Sequence, residues 1–137
     1  MIVTALLLTG QIGCKASQSM SFHDFHIVLT PVSAMVSGMY GRIDNQSEEP
    51  IVISAATSDR FERIEFHEST KTDDRMRMEK IDSFKIDAHQ SLSLNPGGIH
   101  IMLYRAKPAL TAGEIIPVVF KVNDTSHTLQ VIVREIQ

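Results

Sequence analysis

Cysteine is almost missing from this chain: among 137 residues only Cys14 carries a thiol. A lone thiol cannot close an internal disulfide or build a thiolate cage, so any metal held here must use other ligands. Neither sign of charge dominates. Thirteen Lys and Arg against sixteen Asp and Glu leave a formal charge of -3, and the basic residues are scattered, which removes the electrostatic footprint of a nucleic-acid binder. No apolar run reaches the about 20 residues of a membrane-spanning helix. A sustained 3.6-residue period is absent too, which argues against a helical bundle. Gly-x-Ser-x-Gly, His-Glu-x-x-His and a P-loop do not occur, so the motifs of a serine hydrolase, a zinc protease and a nucleotide-phosphate enzyme are lacking and the chain reads as a non-enzyme.

What is present begins with ordinary globular usage, 43% hydrophobic and 21% charged residues, at a length that suits one domain with a single core. The start is different. Ile2 to Leu8 is apolar and meets small and polar residues from Cys14 to Ser19, which resembles the end of a secretory signal without its charged n-region. Gly13-Cys14 reads either as a lipoprotein junction with Cys14 lipidated, although Gln11 stands where such junctions usually carry Leu, or as part of a leader cut nearby. The expected organisation is a leader over 1–19 and one domain over 20–137, exported or periplasmic, monomeric, and touching a membrane only through a lipid on Cys14.

Beyond residue 20, short apolar stretches alternate with turn signals. Candidate strands are Phe25 to Leu29, Met39 to Ile43, Ile51 to Ala55, Phe61 to Phe66, Met76 to Ile81, Ser91 to Leu94, Ile99 to Tyr104, Ile115 to Val122 and Thr128 to Ile136. The segments Asn45 to Pro50, Asn95 to Gly98, Ala112-Gly113 and Asn123-Asp124 supply residues suited to tight turns. The last two strands, joined by Asn123 to His127, predict a hairpin. Eight or nine strands at this spacing predict an all-β sandwich or Greek-key barrel.

The residues able to carry chemistry are histidines and methionines. Period 2 puts His100 and Met102 on one strand face, and Met76 and Met78 on another. His67 closes the run Phe61 to Phe66, so an imidazole and three thioethers at strand ends are expected to meet at one rim of the sandwich. Neutral imidazole and thioether sulfur are borderline and soft donors that suit Cu(I) rather than Mg or Ca. Thioethers also survive an oxidising compartment, having no proton to lose and no disulfide to form. Singly, each residue has a plainer reading: Met76 as packing, His67 and His100 as surface or hydrogen-bonded histidines.

Spacing joins them. His67 is followed by ten residues and Met78, then by twenty-one residues and His100-Ile101-Met102. In this pattern, and in Ile64-Glu65-Phe66-His67-Glu68, Met76-Arg77-Met78, Leu94 to Met102 and Leu110-Thr111-Ala112-Gly113, the chain resembles the periplasmic copper chaperones written PCu(A)C. The resemblance runs from Phe25 to Val133. It implies a cupredoxin-like Greek-key β-sandwich and a solvent-reachable site in which His67, Met78, His100 and Met102 hold one Cu(I). It also implies delivery of that ion to the CuA centre of cytochrome oxidase, its assembly factors or other periplasmic copper proteins. Met76 is an alternate donor or shield. The chain ends Arg134-Glu135-Ile136-Gln137, without the His- and Met-rich tail of many relatives. His23 and His26, with Met20, read as a mobile or surface leader rather than a second site, and His89 and His127 as loop residues.

Four neutral ligands leave the ion its charge, and a surface site permits transfer by ligand exchange. Protons are expected to compete for the two histidines below about pH 6.5, the ordinary imidazole value, weakening but not abolishing binding. A blue-copper electron carrier would need a cysteine thiolate at the metal. The alternative from another class is a structural or adhesive exported β-sandwich without metal.

Overall fold

The computed structural model describes residues 19–31 and 33–136. Of the leader expected over 1–19, all but Ser19 lies outside these residues, Cys14 included. Ten strands and no helix occur among the described residues: β1 (Met20–Val28), β2 (Val36–Asn45), β3 (Ile51–Thr57), β4 (Phe61–Thr72), β5 (Arg75–Ile81), β6 (Phe84–Ile86), β7 (Ser91–Leu94), β8 (Ile99–Ala106), β9 (Ile115–Val122) and β10 (Thr125–Arg134). The all-β expectation holds.

Alternation makes these strands. In β9, Ile116, Val118, Phe120 and Val122 are buried while Ile115, Pro117 and Lys121 face out, the period-2 pattern of a sheet with one covered face. Pro117 is tolerated because β3 pairs with β9 only over Val119 to Val122, so the missing N–H lies past the end of that ladder.

Hydrogen bonding follows one path, β5-β4-β8-β2-β1-β10-β9-β3-β6, with β7 pairing to β2. All neighbours are antiparallel except β1 and β10. The path curls into two facing layers: Phe66 of β4 meets Phe84 of β6 edge-on at 5.0 Å although the two strands sit near opposite ends of the order. Between the layers lies one core, in which Phe25 of β1 packs on Phe120 of β9 with ring centres 5.8 Å apart.

Several boundaries differ from expectation. Asn123-Asp124 alone closes β9 to β10, both with positive φ (44° and 68°), a geometry that Asn and Asp tolerate and that matches strand twist. Thr125 to His127 therefore belong to β10, and His127 is a strand residue rather than a loop one. Asp73-Asp74 turn the same way (49° and 62°), which carries β4 six residues past its expected end at Phe66. His67 accordingly sits within a strand and not at a rim. Polar Glu68 to Thr72 hide this continuation because neither face of that stretch is apolar. β6 escapes detection for a different reason: Phe84 and Ile86 are buried about Lys85, but three residues are too short a stretch to show a period. Met20, His23 and His26 lie in β1, not in a leader, held by pairs such as Met20 with Asn45 and His26 with Tyr40.

Asn45, 2% exposed, ties the layers together. Its Nδ2 group donates within 2.9 to 3.1 Å of the carbonyls of Glu49, Ile86 and Asp87, and its Oδ1 accepts from Ser47. Asn45→Ala leaves buried carbonyls unpaired. The expected loss is about 2 to 3 kcal/mol of unfolding free energy, measured by urea denaturation; an unchanged midpoint would contradict this role.

Candidate functional site

Three adjacent strands, β8, β4 and β5, turn one polar face outward on the side opposite the core. Ile101 and Leu103 of β8 and Phe66 of β4 point inward and are buried. Their alternates, His100 and Met102 on β8, Glu65 and His67 on β4, and Met76, Met78 and Lys80 on β5, share the outer face.

Register decides which of these meet. His67 pairs directly with His100, and Glu65 with Met102. On the other flank His67 pairs with Lys80, Ser69 with Met78, and Lys71 with Met76. The two imidazoles are thus cross-strand partners, with ring centres 6.0 Å apart. Met102 lies diagonal to His67 on one side and Met78 diagonal to it on the other, a relation that long side chains can bridge. Met76, two residues further out, lies beyond that diagonal. The two thioethers flank the imidazole pair from opposite ends and do not adjoin each other; on a flat sheet their Cα atoms would stand roughly 16 Å apart. Sheet twist and the side chains' own length must close that span for one ion to touch both.

Exposure grades across the face. His100 is 4% exposed, whereas Met78 is 53% and Met76 61% exposed on the edge strand β5. Access is from the β5 side. His100 Nδ1 lies 3.0 Å from the Gly98 carbonyl and donates to it, which leaves Nε2 with the lone pair. The same carbonyl accepts from the Ser69 amide at 3.0 Å, so the Asn95 to Gly98 turn fixes the histidine and the facing strand together. That turn needs no positive φ at its glycines; Asn95 Oδ1 accepts from the Gly97 amide instead.

Glu65, not foreseen as a site residue, organises the other half. Its carboxylate accepts from His67 Nε2 at 3.0 Å, from Arg63 Nε at 3.0 Å and from Lys80 Nζ at 3.4 Å. The His67 hydrogen bond first, then Arg63 and Lys80, hold its carboxyl down at about 2. Arg63 also stacks over the Tyr104 ring at 3.9 Å, and Tyr104 Oη lies 4.0 Å from Met102 Sδ. On β2, Gly38 pairs with Met102, and a Cβ there would overlap the Tyr40 ring that covers it. The alternation Ile64-Glu65-Phe66-His67 already put Glu65 beside His67 on one face; Tyr40 and Gly38 left no such signal.

Fold and face together define a cupredoxin-like β-sandwich that carries a cross-strand His pair flanked by methionines on one outer face. The chain belongs to the LpqE-like family, whose model, described as "Putative lipoprotein LpqE-like", matches residues 20–133. A relative from Leifsonia xyli subsp. xyli, "Putative lipoprotein Lxx21020", is 35% identical over 99 residues, 69% of this chain and 60% of that protein. The chain therefore spans less than two thirds of that relative's length. Among solved structures, the copper-bound PCuAC domain from PmoF2 superposes with a TM-score of 0.71 at 14% identity, over 85% of this chain and 93% of that one. The CuI-DR1885 solution structure from Deinococcus radiodurans gives 0.62 at 23% identity, over 90% and 82%. These likenesses establish the shared fold.

A carboxyl depressed in the folded state stabilises the fold while ionised. Its contribution is complete above the unfolded value near 4.5 and is lost as pH falls toward about 2. Urea midpoints of the metal-free protein between pH 6 and pH 2.5 are expected to favour wild type over Glu65→Gln at the upper end and to converge at the lower. A constant gap across that range would contradict the assignment.

Proposed function

We propose that this chain is an exported copper chaperone that holds one Cu(I) with His67, Met78, His100 and Met102 and passes it on by ligand exchange. The observation that carries the reading is the direct pairing of His67 with His100, ring centres 6.0 Å apart, on an outward face flanked by thioethers. Nitrogen-to-metal bonds of about 2.0 Å on either side of one ion place two imidazole centres roughly 5 to 6.5 Å apart, so the spacing suits a shared ion.

Donor chemistry supports the choice of metal. Among the described residues no three His, Cys, Asp or Glu side chains gather as a metal site, and the soft donors diagonal to His67 on that face are the thioethers of Met78 and Met102. Thioether and neutral imidazole favour Cu(I) over hard cations. A further support is His67 Nδ1, buried without a hydrogen-bond partner, which a bound cation would satisfy. Two proteins of the same fold are named as copper-bound and CuI forms.

As cargo, the ion meets a graded site. His100 anchors it from a nearly buried position, while Met78, exposed on an edge strand, is the ligand an acceptor reaches first. Entry of a partner's ligand as Met78 leaves keeps the ion coordinated throughout. The acceptors are periplasmic copper proteins, such as the CuA subunit of cytochrome oxidase or its assembly factors. The domain acts as a monomer, free or tethered by a lipid on Cys14, and carries out no catalysis.

Anaerobic Cu(I) titration against a chromophoric chelator tests this. Wild type is expected to take one ion per chain. His100→Ala should weaken binding by more than the about 10- to 100-fold typical of losing a supporting residue, and Met78→Ile with Met102→Ile should lower affinity while the fold persists. Equal affinity in wild type and variants would leave an adhesive or structural sandwich as the better reading.

A further inference from the structure

The copper reading leaves open which nitrogen of each histidine faces the ion, and the hydrogen bonds around the pair answer differently for the two rings. His100 spends Nδ1 on the Gly98 carbonyl at 3.0 Å. A carbonyl can only accept, so the proton is on Nδ1 and Nε2 is the donor atom left for metal. In His67 the roles are reversed. Its Nε2 lies 3.0 Å from Glu65 Oε2, and a carboxylate likewise only accepts, so Nε2 carries the proton. The lone pair is then on Nδ1, the atom that is buried and has no hydrogen-bond partner.

An unpartnered nitrogen lone pair inside a side chain only 13% exposed is costly. Glu65 has little freedom to release the ring, because Arg63 Nε and Lys80 Nζ grip its other oxygen. Both partners lie on the same outer face, Arg63 two residues before Glu65 and Lys80 opposite His67. The carboxylate is braced independently of the histidine it orients.

We infer that Glu65 is the positioning residue of the site, fixing His67 in the Nε2–H form so that copper binds through His67 Nδ1 while His100 binds through Nε2. This rests on the copper reading and extends it. A carboxylate on the far nitrogen makes the ligating nitrogen more basic and fixes the ring's orientation. The two histidines, alike in sequence, thereby present opposite nitrogens across the strand pair.

Long-range proton–nitrogen correlation spectra of the ¹⁵N-labelled chain test it, recorded without metal and with one equivalent of Cu(I). Without metal, His67 is expected as the Nε2–H form and His100 as the Nδ1–H form. Copper should shift His67 Nδ1 and His100 Nε2 and leave both protons in place. In Glu65→Ala, His67 should become a mixture of the two forms and Cu(I) affinity should fall about 10- to 100-fold, whereas Glu65→Gln, whose amide oxygen still accepts, should restore most of both. The wild-type spectra need no variant to fold. Copper displacing the proton from His67 Nε2, or Glu65→Ala changing neither form nor affinity, would overturn the inference while leaving the copper site standing. No response at either imidazole would overturn the copper reading itself.

Discussion

The register between β4 and β8 decides which side chains of the outer face can meet. Pairing His67 with His100 and Glu65 with Met102 sets both imidazoles, a thioether and the orienting carboxylate on one face. A slip of one residue would turn either strand's set into the core. What prevents it is the apolar side: Phe66 and Ile101, paired with each other between these polar residues, are buried, as is Leu103 beyond. Core packing therefore positions the site, although no site residue belongs to the core.

Burial is unevenly distributed across that face, and the proposed transfer uses the difference. Toward β2, the face is enclosed: His100 is buried and tied to the Asn95 to Gly98 turn, and Tyr40 covers Gly38 beside Met102. Toward β5, it opens onto an edge strand whose first six residues are all exposed. A carrier needs both characters, one side that holds and one that a partner can approach. The hairpin closed by Asp73-Asp74 provides the second without weakening the first, since the core does not extend beneath it.

Much of this can be read from the sequence, and each part that cannot has a physical cause. Period-2 alternation located nine of the ten strands and placed His100 with Met102, because buried alternates such as Ile101 and Leu103 marked the face. Where no apolar alternates exist the signal vanishes. The polar continuation of β4 through Thr72 carries none, so the apolar run alone puts His67 at a strand end instead of within one; β6 has buried alternates in Phe84 and Ile86, but three residues are too few to establish a period. Spacing along the chain named His67, Met78, His100 and Met102, but could not say that Met78 and Met102 flank the pair from opposite ends. That relation is a property of register. Glu65 was overlooked because a carboxylate beside a histidine acquires meaning only when its partners, Arg63 and Lys80, are seen to brace it.

In the proposed site, soft sulfur and imidazole nitrogen from three adjacent strands, far apart along the chain, converge on one monovalent ion. X-ray absorption at the copper edge of the singly loaded wild-type domain tests this most directly. A Cu(I) edge with sulfur and imidazole nitrogen in the same coordination shell is expected. A shell of nitrogen and oxygen alone would contradict it.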